Sequence, residues 1–581
     1  NLYLAPDLYK QILTKTPTIM TFNTLYEIVK HSVEKFSSRI AFSMIGGEEL
    51  SYKEVGERID KVQDMLLNAG VGAGDKVAIL SSSMPNWGVS YFAVTTAGMV
   101  AVPILPDFTS SELDLIIEHS EAKAILVSDK LYTKLTKETV DKMNIVIRTK
   151  GLNAIQQSVE ARAEKRIPEP DDLAAIIYTS GTTSKPKGVM LSHYAIAAQT
   201  MIIPPLFEYN EEDVLLSILP LAHTYECTLG MIYPFSRGAH IFYMDRPPIA
   251  SALMPALAEV RPTVIASVPL IMEKVYRGKV LPTFQKNSLM RTLYGWGWSR
   301  KLLHKVAGKQ LKKLFGGRMR LFAIGGSKFD TEAERFLLEA GFPYGIGYGL
   351  TETAPLIAGA VGNMVRIGST GPSLPAVKIR LDNINPETKQ GEIVALTPCC
   401  MQGYYRNEEA TKAAFTEDGW FRTGDLGYID DKGWIYIKGR LKNMIVGPSG
   451  ENIYPEDIEE VLNSNKLVAE SVVTEEDGKL IALVHFDTAA LEEAYDEFKF
   501  KMSVSKEQLQ QKMEEIQKDL VNYVNSKVNR FSKISKVVDN EGEFEKTPTK
   551  KIRRFIYDRS NKGANQEGAN QEGTNQDNDK K

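Results

Sequence analysis

Short apolar runs and amphipathic helical segments alternate along most of the chain. One unit begins with the apolar run Ala41–Met44, continues as a helical segment with apolar residues every three or four positions, and ends with the run Val77–Leu80. Ser51 and Glu54 form the capping-box pattern at the start of that helix. A similar helix is predicted at Ala250–Val260. Strands that alternate with helices predict parallel α/β sheets, and the number of such units predicts more than one sheet.

The stretch Pro85–Pro106 contains 22 residues and no charged side chain, so it is long enough to raise the question of a membrane span. Proline, glycine and hydroxyl residues are spread through it. This composition favours a buried helix followed by a short strand at Val100–Val102. We therefore expect a core element of a globular domain and no transmembrane segment.

The pattern changes after Gly368 to short strands and turns, including a hairpin at Gly427–Ile437, and this texture predicts a β-rich subdomain. A further hairpin lies in Val472–Phe486, and Ser505 begins a long helix with a capping box. The helix has an apolar stripe at Leu509, Met513, Ile516, Leu520, Val524 and Val528. We expect the stripe to pack in a core, and the alternative is a partner or membrane surface. The repetitive polar segment 559–581 is predicted to be disordered.

Composition and charge exclude some classes of function and location. The chain has 70 basic and 73 acidic residues, so no global charge bias indicates a nucleic-acid partner. Its three cysteines, Cys227, Cys399 and Cys400, cannot form a disulfide framework, which favours a reducing compartment. We therefore expect a cytoplasmic protein, and peripheral membrane contact is left open.

A candidate phosphate-binding loop follows the apolar run Leu173–Tyr178. Its sequence is Tyr178-Thr-Ser-Gly-Thr-Thr-Ser-Lys-Pro-Lys-Gly-Val-Met-Leu-Ser-His193. Main-chain N–H groups, hydroxyls and lysine side chains donate to phosphate oxygens, and glycine allows the tight turn. The predicted binding residues are Thr179, Ser180, Gly181, Thr182, Thr183 and Lys187. A Walker A loop reads GxxxxGK[ST], and Pro186-Lys187-Gly188 breaks that pattern. The alternative, a flexible linker, is disfavoured because an apolar run precedes the loop.

This loop resembles the signature loop of the AMP-forming acyl-CoA synthetases, the adenylate-forming family that includes luciferases. Further matching segments follow in the family's order: Leu219–Glu226, Tyr348–Thr353, Gly419–Leu426, Gly439–Lys442, Gly450–Pro455 and Glu545–Ile552. The resemblance implies an α/β fold with a large N-terminal domain at 1–441, built from parallel α/β sheets and a β-rich subdomain. A small mobile α+β domain at 442–558 would turn about Lys442, the residue that matches the family's hinge.

The family joins a carboxylate to the α-phosphate of ATP, releases pyrophosphate, and transfers the acyl group to a thiol. Glu352 is similar to the family's magnesium ligand, and a carboxylate beside phosphates suits a hard cation. The alternative for Glu352 is an exposed loop acid. Thr351 would bind the α-phosphate and Tyr348 would lie against adenine. His223 would lie beside the acyl carboxylate, and its alternative is a structural histidine.

Three further sets of residues have roles implied by the resemblance. Asp425 matches the acid that accepts hydrogen bonds from both ribose hydroxyls, and Arg440 would assist on the ribose or phosphate side. Lys551 matches the catalytic lysine of adenylation, although Lys550 stands where most relatives have glycine, so either amine is a candidate. The loop that supplies Gly326 and Ser327 to adenine also departs from the family, since Ser327-Lys328 replaces the common Ala-Pro.

Gly349 suggests a hypothesis about chain length, because it matches a position where acetate-activating relatives carry tryptophan. Glycine there, with Gly345 and Gly347 upstream, would leave room for a long acyl chain. The alternative is that Gly349 has a backbone conformation with positive φ.

The sequence therefore predicts an ATP- and Mg²⁺-dependent ligase of long-chain fatty acids and coenzyme A. Three alternatives remain open: transfer to an acyl carrier protein, activation of a medium-chain or aryl acid, and a non-catalytic nucleotide- or acyl-binding protein. Fatty acid, ATP and coenzyme A are the expected small-molecule partners, with no nucleic acid.

Overall fold

The structure is a computed structural model that describes residues 21–179, 186–244, 246–446, 452–495, 505–547 and 551–559. Some predictions concern residues outside these ranges. They are the loop residues Ser180, Gly181, Thr182 and Thr183, the candidate amine of Lys550, and the segment 559–581 apart from residue 559.

Most strands belong to two mixed sheets, and we number the strands in chain order. The first sheet consists, in spatial order, of β15 (Leu356–Val361), β14 (Tyr344–Gly349), β13 (Leu321–Ile324), β12 (Val264–Ser267), β10 (Val214–Ser217), β11 (His240–Tyr243), β1 (Ile40–Met44) and β2 (Glu49–Ser51). The second consists of β18 (Gly403–Tyr404), β9 (Lys187–Ser192), β8 (Leu173–Thr179), β4 (Val100–Ile104), β3 (Lys76–Leu80), β5 (Ala122–Val127), β6 (Ile145–Arg148) and β7 (Asn153–Gln157). The predicted α/β class with more than one sheet is confirmed.

Three smaller sheets follow in the C-terminal part of the chain. A four-stranded sheet has the order β16 (Lys378–Asp382), β17 (Gly391–Leu396), β19 (Phe421–Ile429), β20 (Ile435–Arg440). A two-stranded sheet pairs β21 (Ile445–Val446) with β22 (Asn452–Ile453), and a three-stranded sheet has the order β23 (Val468–Glu476), β24 (Lys479–Phe486), β25 (Lys536–Asp539). The predicted hairpins are therefore present.

The helices connect these strands. In chain order they are α1 (Leu25–Lys35), α2 (Tyr52–Asn68), α3 (Pro85–Thr96), α4 (Ser110–Ser120), α5 (Asp129–Tyr132), α6 (Lys137–Asp141), α7 (His193–Ile202), α8 (Tyr233–Ser236), α9 (Ala250–Val260), α10 (Pro269–Val275), α11 (Leu281–Gln285), α12 (Ser288–Gly295), α13 (Gly297–Leu314), α14 (Thr331–Ala340), α15 (Glu408–Ala413), α16 (Pro455–Asn463), α17 (Thr488–Ala494) and α18 (Lys506–Asn525). Single π-helical turns occupy Glu226–Ile232 and Tyr276–Val280. Short 3₁₀ turns occupy Thr351–Thr353, Gly362–Met364, Leu441–Asn443, Arg530–Ser532 and Arg554–Ile556.

Local sequence accounts for the positions of these elements. The capping box predicted for α2 is present, since Ser51 accepts from the Glu54 N–H and the Glu54 carboxylate accepts from the Ser51 N–H. Every residue of α3 is buried. Within the described residues, we find no helix that combines the length and the apolar character needed to cross a bilayer.

The chain divides into two compact units. The first comprises Asn1–Thr423 and Tyr428–Ile437, and the second comprises Gly424–Gly427 and Lys438–Lys581. The second unit has its own core, in which Ile516, Leu520 and Val524 of α18 are buried. The apolar stripe of this helix thus packs inward, as expected. The functional boundary at 441/442 stays a prediction.

Candidate active site

Several predicted residues follow the carboxyl ends of neighbouring parallel strands in the first sheet. Strands β10, β12, β13 and β14 run parallel to one another. His223 lies in the segment after β10, Ser327 lies after β13, and Thr351 and Glu352 lie after β14. The crevice outside these ends is where open α/β sheets bind ligands. The sheet topology therefore brings three separate sequence segments to one edge.

The turn that carries Thr351 and Glu352 is stabilised by hydrogen bonds from the buried Gln199. The Gln199 side-chain amide donates to the carbonyl oxygens of Thr353 and Leu356, both at 3.0 Å. The Leu350 N–H donates to the Pro355 carbonyl at 3.1 Å. Buried amide hydrogen bonds of this kind fix a backbone conformation, because breaking them leaves polar groups unsatisfied. The two predicted site residues thus lie on a preorganised turn.

The candidate phosphate loop joins two antiparallel strands. Strands β8 and β9 pair from Leu173 with Ser192 to Thr179 with Lys187, with one shift of register between Leu173 and Ala175. A Walker A loop leads from a strand into a helix, whereas here the chain turns back into a strand. The structure therefore agrees with the sequence argument against a P-loop NTPase. It describes Thr179 and Lys187 at the two ends of the loop.

Tyr404 connects the phosphate loop to the turn of Glu352. It lies in β18, which extends the second sheet by pairing with β9, so that Tyr404 is opposite Val189. The Tyr404 hydroxyl donates to Glu352 Oε1 at 2.9 Å. Lys187 Nζ lies 5.0 Å from the centre of the Tyr404 ring, a cation–π contact. The Met401 N–H also donates to the Glu352 carbonyl at 2.8 Å. The candidate magnesium ligand and the loop lysine therefore share one neighbour.

Aromatic residues pack together beside the end of β8. His119 Nδ1 lies 2.7 Å from the Tyr178 hydroxyl, and the His119 ring meets the Tyr405 ring edge-on. Burial lowers the pKa of His119. The Arg406 guanidinium donates to Glu121 at 2.7 Å and lowers the pKa of that carboxyl. These contacts attach the strand of Tyr404 to α4 and stabilise its position beside β9.

His223 is half-buried after β10, and its Nδ1 accepts from the Tyr225 N–H at 3.1 Å. This bond leaves Nε2 as the protonated nitrogen of the neutral ring. Three residues later, Glu226 is buried in the π-helical turn, and burial raises its pKa to about 8. Glu226 Oε2 has no hydrogen-bond partner among the described residues. The motif thus supplies one half-buried imidazole and one deeply buried carboxyl.

The three glycines of β14 have a packing role, which argues against the hypothesis that they leave room for a long acyl chain. A Cβ at Gly349 would lie 1.9 Å from the Pro355 carbonyl oxygen, which is backbone. At Gly345 and Gly347 it would lie 2.7 Å from Val361 Cγ1 and 2.8 Å from Leu356 Cδ1. The space beside the glycines is therefore filled by β15. Gly349 does not have a positive φ either, so its requirement is the close approach of another backbone.

Asp425 and Arg440 form an ion pair in the second unit. Arg440 Nε lies 2.8 Å from Asp425 Oδ1, and the Asp425 side chain is buried. Gly424 has φ of +68°, a conformation that glycine adopts without strain. Lys442 follows in the turn Leu441–Asn443. The resemblance implies that Asp425 binds the ribose and that Arg440 assists on the ribose or phosphate side, and the structure brings the two side chains together.

Lys551 lies in the second unit on a small antiparallel bridge. Lys546 pairs with Ile552, and the Lys551 N–H donates to the Thr547 hydroxyl at 3.1 Å. Arg554 anchors the following residues, because its guanidinium donates to Glu459 at 2.7 Å. Burial raises the pKa of Glu459, opposed by the charge of Arg554. A buried pair of this kind fixes the segment that carries Lys551.

Comparisons with known proteins show the family of this chain. The family described as AMP-binding enzyme matches residues 29–405. The chain belongs to the AMP-binding enzymes. Long-chain-fatty-acid–CoA ligase FadD15 of Mycobacterium bovis is 30% identical over 470 residues, which cover 74% of this chain and 75% of the relative. Long chain acyl-CoA synthetase 1 of Arabidopsis thaliana is 29% identical over 79% of this chain and 78% of the relative.

The fold is similar to that of a solved structure, o-succinylbenzoate CoA synthetase of Bacillus subtilis in complex with its acyl-adenylate intermediate. The TM-score is 0.71 at 22% identity, over 91% of this chain and 97% of that chain. The mixed α/β architecture of this AMP-binding enzyme is thus that of an adenylate-forming enzyme.

The donor set of this AMP-binding enzyme fits Mg²⁺ bound together with a nucleotide. Among the described residues, no three His, Cys, Asp or Glu side chains cluster to form a cage of protein ligands. Magnesium beside phosphates is usually held by one or two carboxylates, with phosphate oxygens and water completing its coordination. Glu352 on its fixed turn meets this requirement.

Sequence reasoning missed Tyr404 and Glu226. Tyr404 belongs to the segment Gly403-Tyr-Tyr-Arg406. Its two adjacent tyrosines are the feature of the sequence that could have indicated a site residue here. Glu226 ends the matching segment Leu219–Glu226, but only the structure shows that its carboxyl is buried.

Proposed function

We propose that this chain is an ATP- and Mg²⁺-dependent ligase that joins a long-chain fatty acid to coenzyme A through an acyl-adenylate. One observation carries the proposal: Tyr404 contacts both Glu352 and Lys187, beside a phosphate loop in a member of the AMP-binding enzymes. The long-chain class is supported by the names of the relatives reported above, and by the motif at Leu219–Glu226.

In the first step, a carboxylate oxygen of the acid attacks the α-phosphorus of ATP, and the bond to the β-phosphate oxygen breaks to release pyrophosphate. Lys187, Thr179 and Thr351 donate to the phosphate oxygens and hold the triphosphate in line with the attacking oxygen. His223 Nε2 donates to the acid and orients it. Lys551 neutralises the negative charge that develops during the displacement.

Three further groups bind the nucleotide. Tyr348 and the loop of Gly326 and Ser327 contact adenine, and Asp425, fixed by Arg440, accepts from the ribose hydroxyls. Glu352 would hold Mg²⁺, which supplies charge neutralisation at the phosphates when bound.

In the second step, the thiol sulfur of coenzyme A attacks the acyl carbon, the bond to the AMP oxygen breaks, and the thiol proton goes to solvent. The products are the thioester and AMP. We propose that residues 442–558 move as a mobile domain about Lys442 between the two steps, while 1–441 binds ATP and the acid.

The test separates the steps. Pyrophosphate exchange into ATP should require both a fatty acid and Mg²⁺, and thioester should form only after coenzyme A is added. An acid series from acetate to palmitate, with benzoate as the aryl comparison, should show the highest kcat/KM for the long-chain acids. Exchange without an added acid, or with benzoate alone, would contradict the substrate class.

A holo acyl carrier protein in place of coenzyme A tests the second candidate acceptor. Faster transfer to the carrier protein would overturn the proposed acceptor and keep the adenylation step. Absence of exchange with every acid would indicate a binding protein instead.

A further inference from the structure

A long segment of the first unit is basic and lacks acidic residues. Between Glu273 and Asp330 the chain has no aspartate or glutamate. The basic residues of this segment are Lys274, Arg277, Lys279, Lys286, Arg291, Arg300, Lys301, Lys305, Lys309, Lys312, Lys313, Arg318, Arg320 and Lys328. The whole chain has a formal net charge of −3, so this concentration of positive charge is local. It lies on and around α13.

The inner face of α13 is fixed by packing and ion pairs. His304, Gly308 and Leu311 are buried. A Cβ at Gly308 would lie 2.7 Å from the Cβ of Ala340 in α14, so the two helices are in close contact. Arg300 donates to both carboxylate oxygens of Glu339, at 3.1 and 2.8 Å. Helix α13 is therefore firmly attached to α14 by one face, and the opposite face points away from α14.

The outer face of α13 carries apolar side chains in a row. Trp298, Leu302 and Val306 are spaced four residues apart, so they lie one above another along the helix. Their side chains are 69%, 58% and 54% exposed. Trp296 is 55% exposed just before the helix, and its ring centre lies 6.4 Å from that of Trp298. Monomeric proteins rarely expose contiguous large apolar side chains without a function.

A row of lysines runs beside the apolar row. Lys301, Lys305, Lys309 and Lys313 are also four residues apart and exposed. Lys301, Lys305 and Lys309 each lie three residues after a member of the apolar row, so the two rows are adjacent. Within the part of the chain that the structure describes, no carboxylate lies at ion-pair distance from these four side chains. The fold itself therefore leaves their charge uncompensated.

We propose that the outer face of α13 docks on an anionic lipid surface. Tryptophan and aliphatic side chains enter the interface between headgroups and acyl chains, while lysines beside them attract anionic headgroups. A nucleic acid would use the lysines but leave the row of Trp298, Leu302 and Val306 in water. A second copy of the chain would bring two rows of lysines together, which is repulsive. The combination of both rows favours a membrane surface.

The test is sedimentation of the full chain with vesicles of phosphatidylcholine alone, or with about 30% phosphatidylglycerol, at low and high salt. The unaltered chain should bind the anionic vesicles, and binding should weaken at high salt. The variant Lys301→Gln/Lys305→Gln/Lys309→Gln/Lys313→Gln should lose about fivefold in partition coefficient per lysine, or several hundred-fold together. A matched control changes four exposed lysines elsewhere, Lys61, Lys130, Lys137 and Lys412, to glutamine and should bind normally.

The apolar row has its own test. The variant Trp298→Ala/Leu302→Ala/Val306→Ala should bind anionic vesicles weakly, whereas Leu115→Ala/Ile167→Ala/Ile384→Ala, which alters equally exposed residues elsewhere, should not. In the unaltered chain, brominated lipid should quench tryptophan emission, and Trp296→Phe/Trp298→Phe should abolish that quenching.

These outcomes are independent of the proposed enzymatic function. Pyrophosphate exchange with a water-soluble medium-chain acid should be similar in all variants, which also reports folding. Equal binding by both sets of lysine variants, quenching that survives Trp296→Phe/Trp298→Phe, or tighter binding to RNA than to anionic vesicles would overturn the proposal.

Discussion

Replacing Gly349 with alanine tests whether the packing of β14 positions the turn that carries Thr351 and Glu352. The added Cβ would lie 1.9 Å from the Pro355 carbonyl oxygen, whereas such contacts in proteins are at least 3.0 Å. The backbone must therefore move by about 1.1 Å. Because Thr351 and Glu352 follow directly, they would move as well. A misplacement of about 1 Å at a reacting centre can reduce the rate about 100-fold.

Gly347→Ala is the matched control, because it lies two residues earlier on the same face of the same strand. Its Cβ would meet only Leu356 Cδ1, at 2.8 Å, the end of a flexible side chain. That side chain can rotate away, at a cost of about 1–3 kcal/mol in stability. We expect this variant to keep most of its adenylation activity.

The assay is pyrophosphate exchange with acetate, octanoate and palmitate, with thermal unfolding measured in parallel. Gly349→Ala should lose kcat/KM by a similar factor for every acid, because the displaced groups serve the shared carboxylate and phosphates. Two results would refute the reasoning: Gly349→Ala and Gly347→Ala behaving alike, or a loss at Gly349 confined to the long acids. The second would restore the hypothesis that Gly349 leaves room for a long acyl chain.

Tyr404→Phe removes a hydrogen bond to Glu352 that contributes about 1.5–3 kcal/mol, so exchange should fall at least about tenfold at limiting Mg²⁺, as a magnesium titration would reveal. Lys551→Ala should slow adenylation by about 3–4 kcal/mol in the barrier but spare thioester formation from supplied acyl-adenylate; normal exchange here, with loss in Lys550→Ala, would move the role by one residue. Burial raises the pKa of Glu226 to about 8 from 4.5, so the folded state retains a proton that the unfolded state releases, and stability falls as pH rises between these values. As pH rises from about 6 to about 8, the melting temperature of Glu226→Gln should therefore fall less than that of the unaltered chain. Parallel curves of melting temperature against pH would contradict this.

Local sequence was sufficient to predict the types of many elements. The capping boxes at Ser51 and Ser505 begin α2 and α18 where the pattern placed them. Helix α9 has the predicted bounds Ala250–Val260. Apolar periodicity and capping depend on side chains a few residues apart, so these signals are present before any long-range contact forms. Motif order likewise placed the chain in its family.

Tertiary structure alone decided which residues meet. Tyr404 contacts Glu352, 52 positions away in sequence, because β18 pairs with β9 at the edge of the second sheet. No local pattern encodes that pairing. The sequence suggests that the missing side chain of Gly349 leaves open space. Only the structure shows that the backbone at Pro355 fills this space.

The two faces of α13 illustrate the same difference. The sequence shows both lysines and apolar residues, but it does not show which apolar residues pack against α14. The structure buries Leu311 and leaves Trp298, Leu302 and Val306 exposed, because the position of α14 selects one side of the helix as its core face. Periodicity determines that a helix has faces, and long-range packing determines which face is in contact with water.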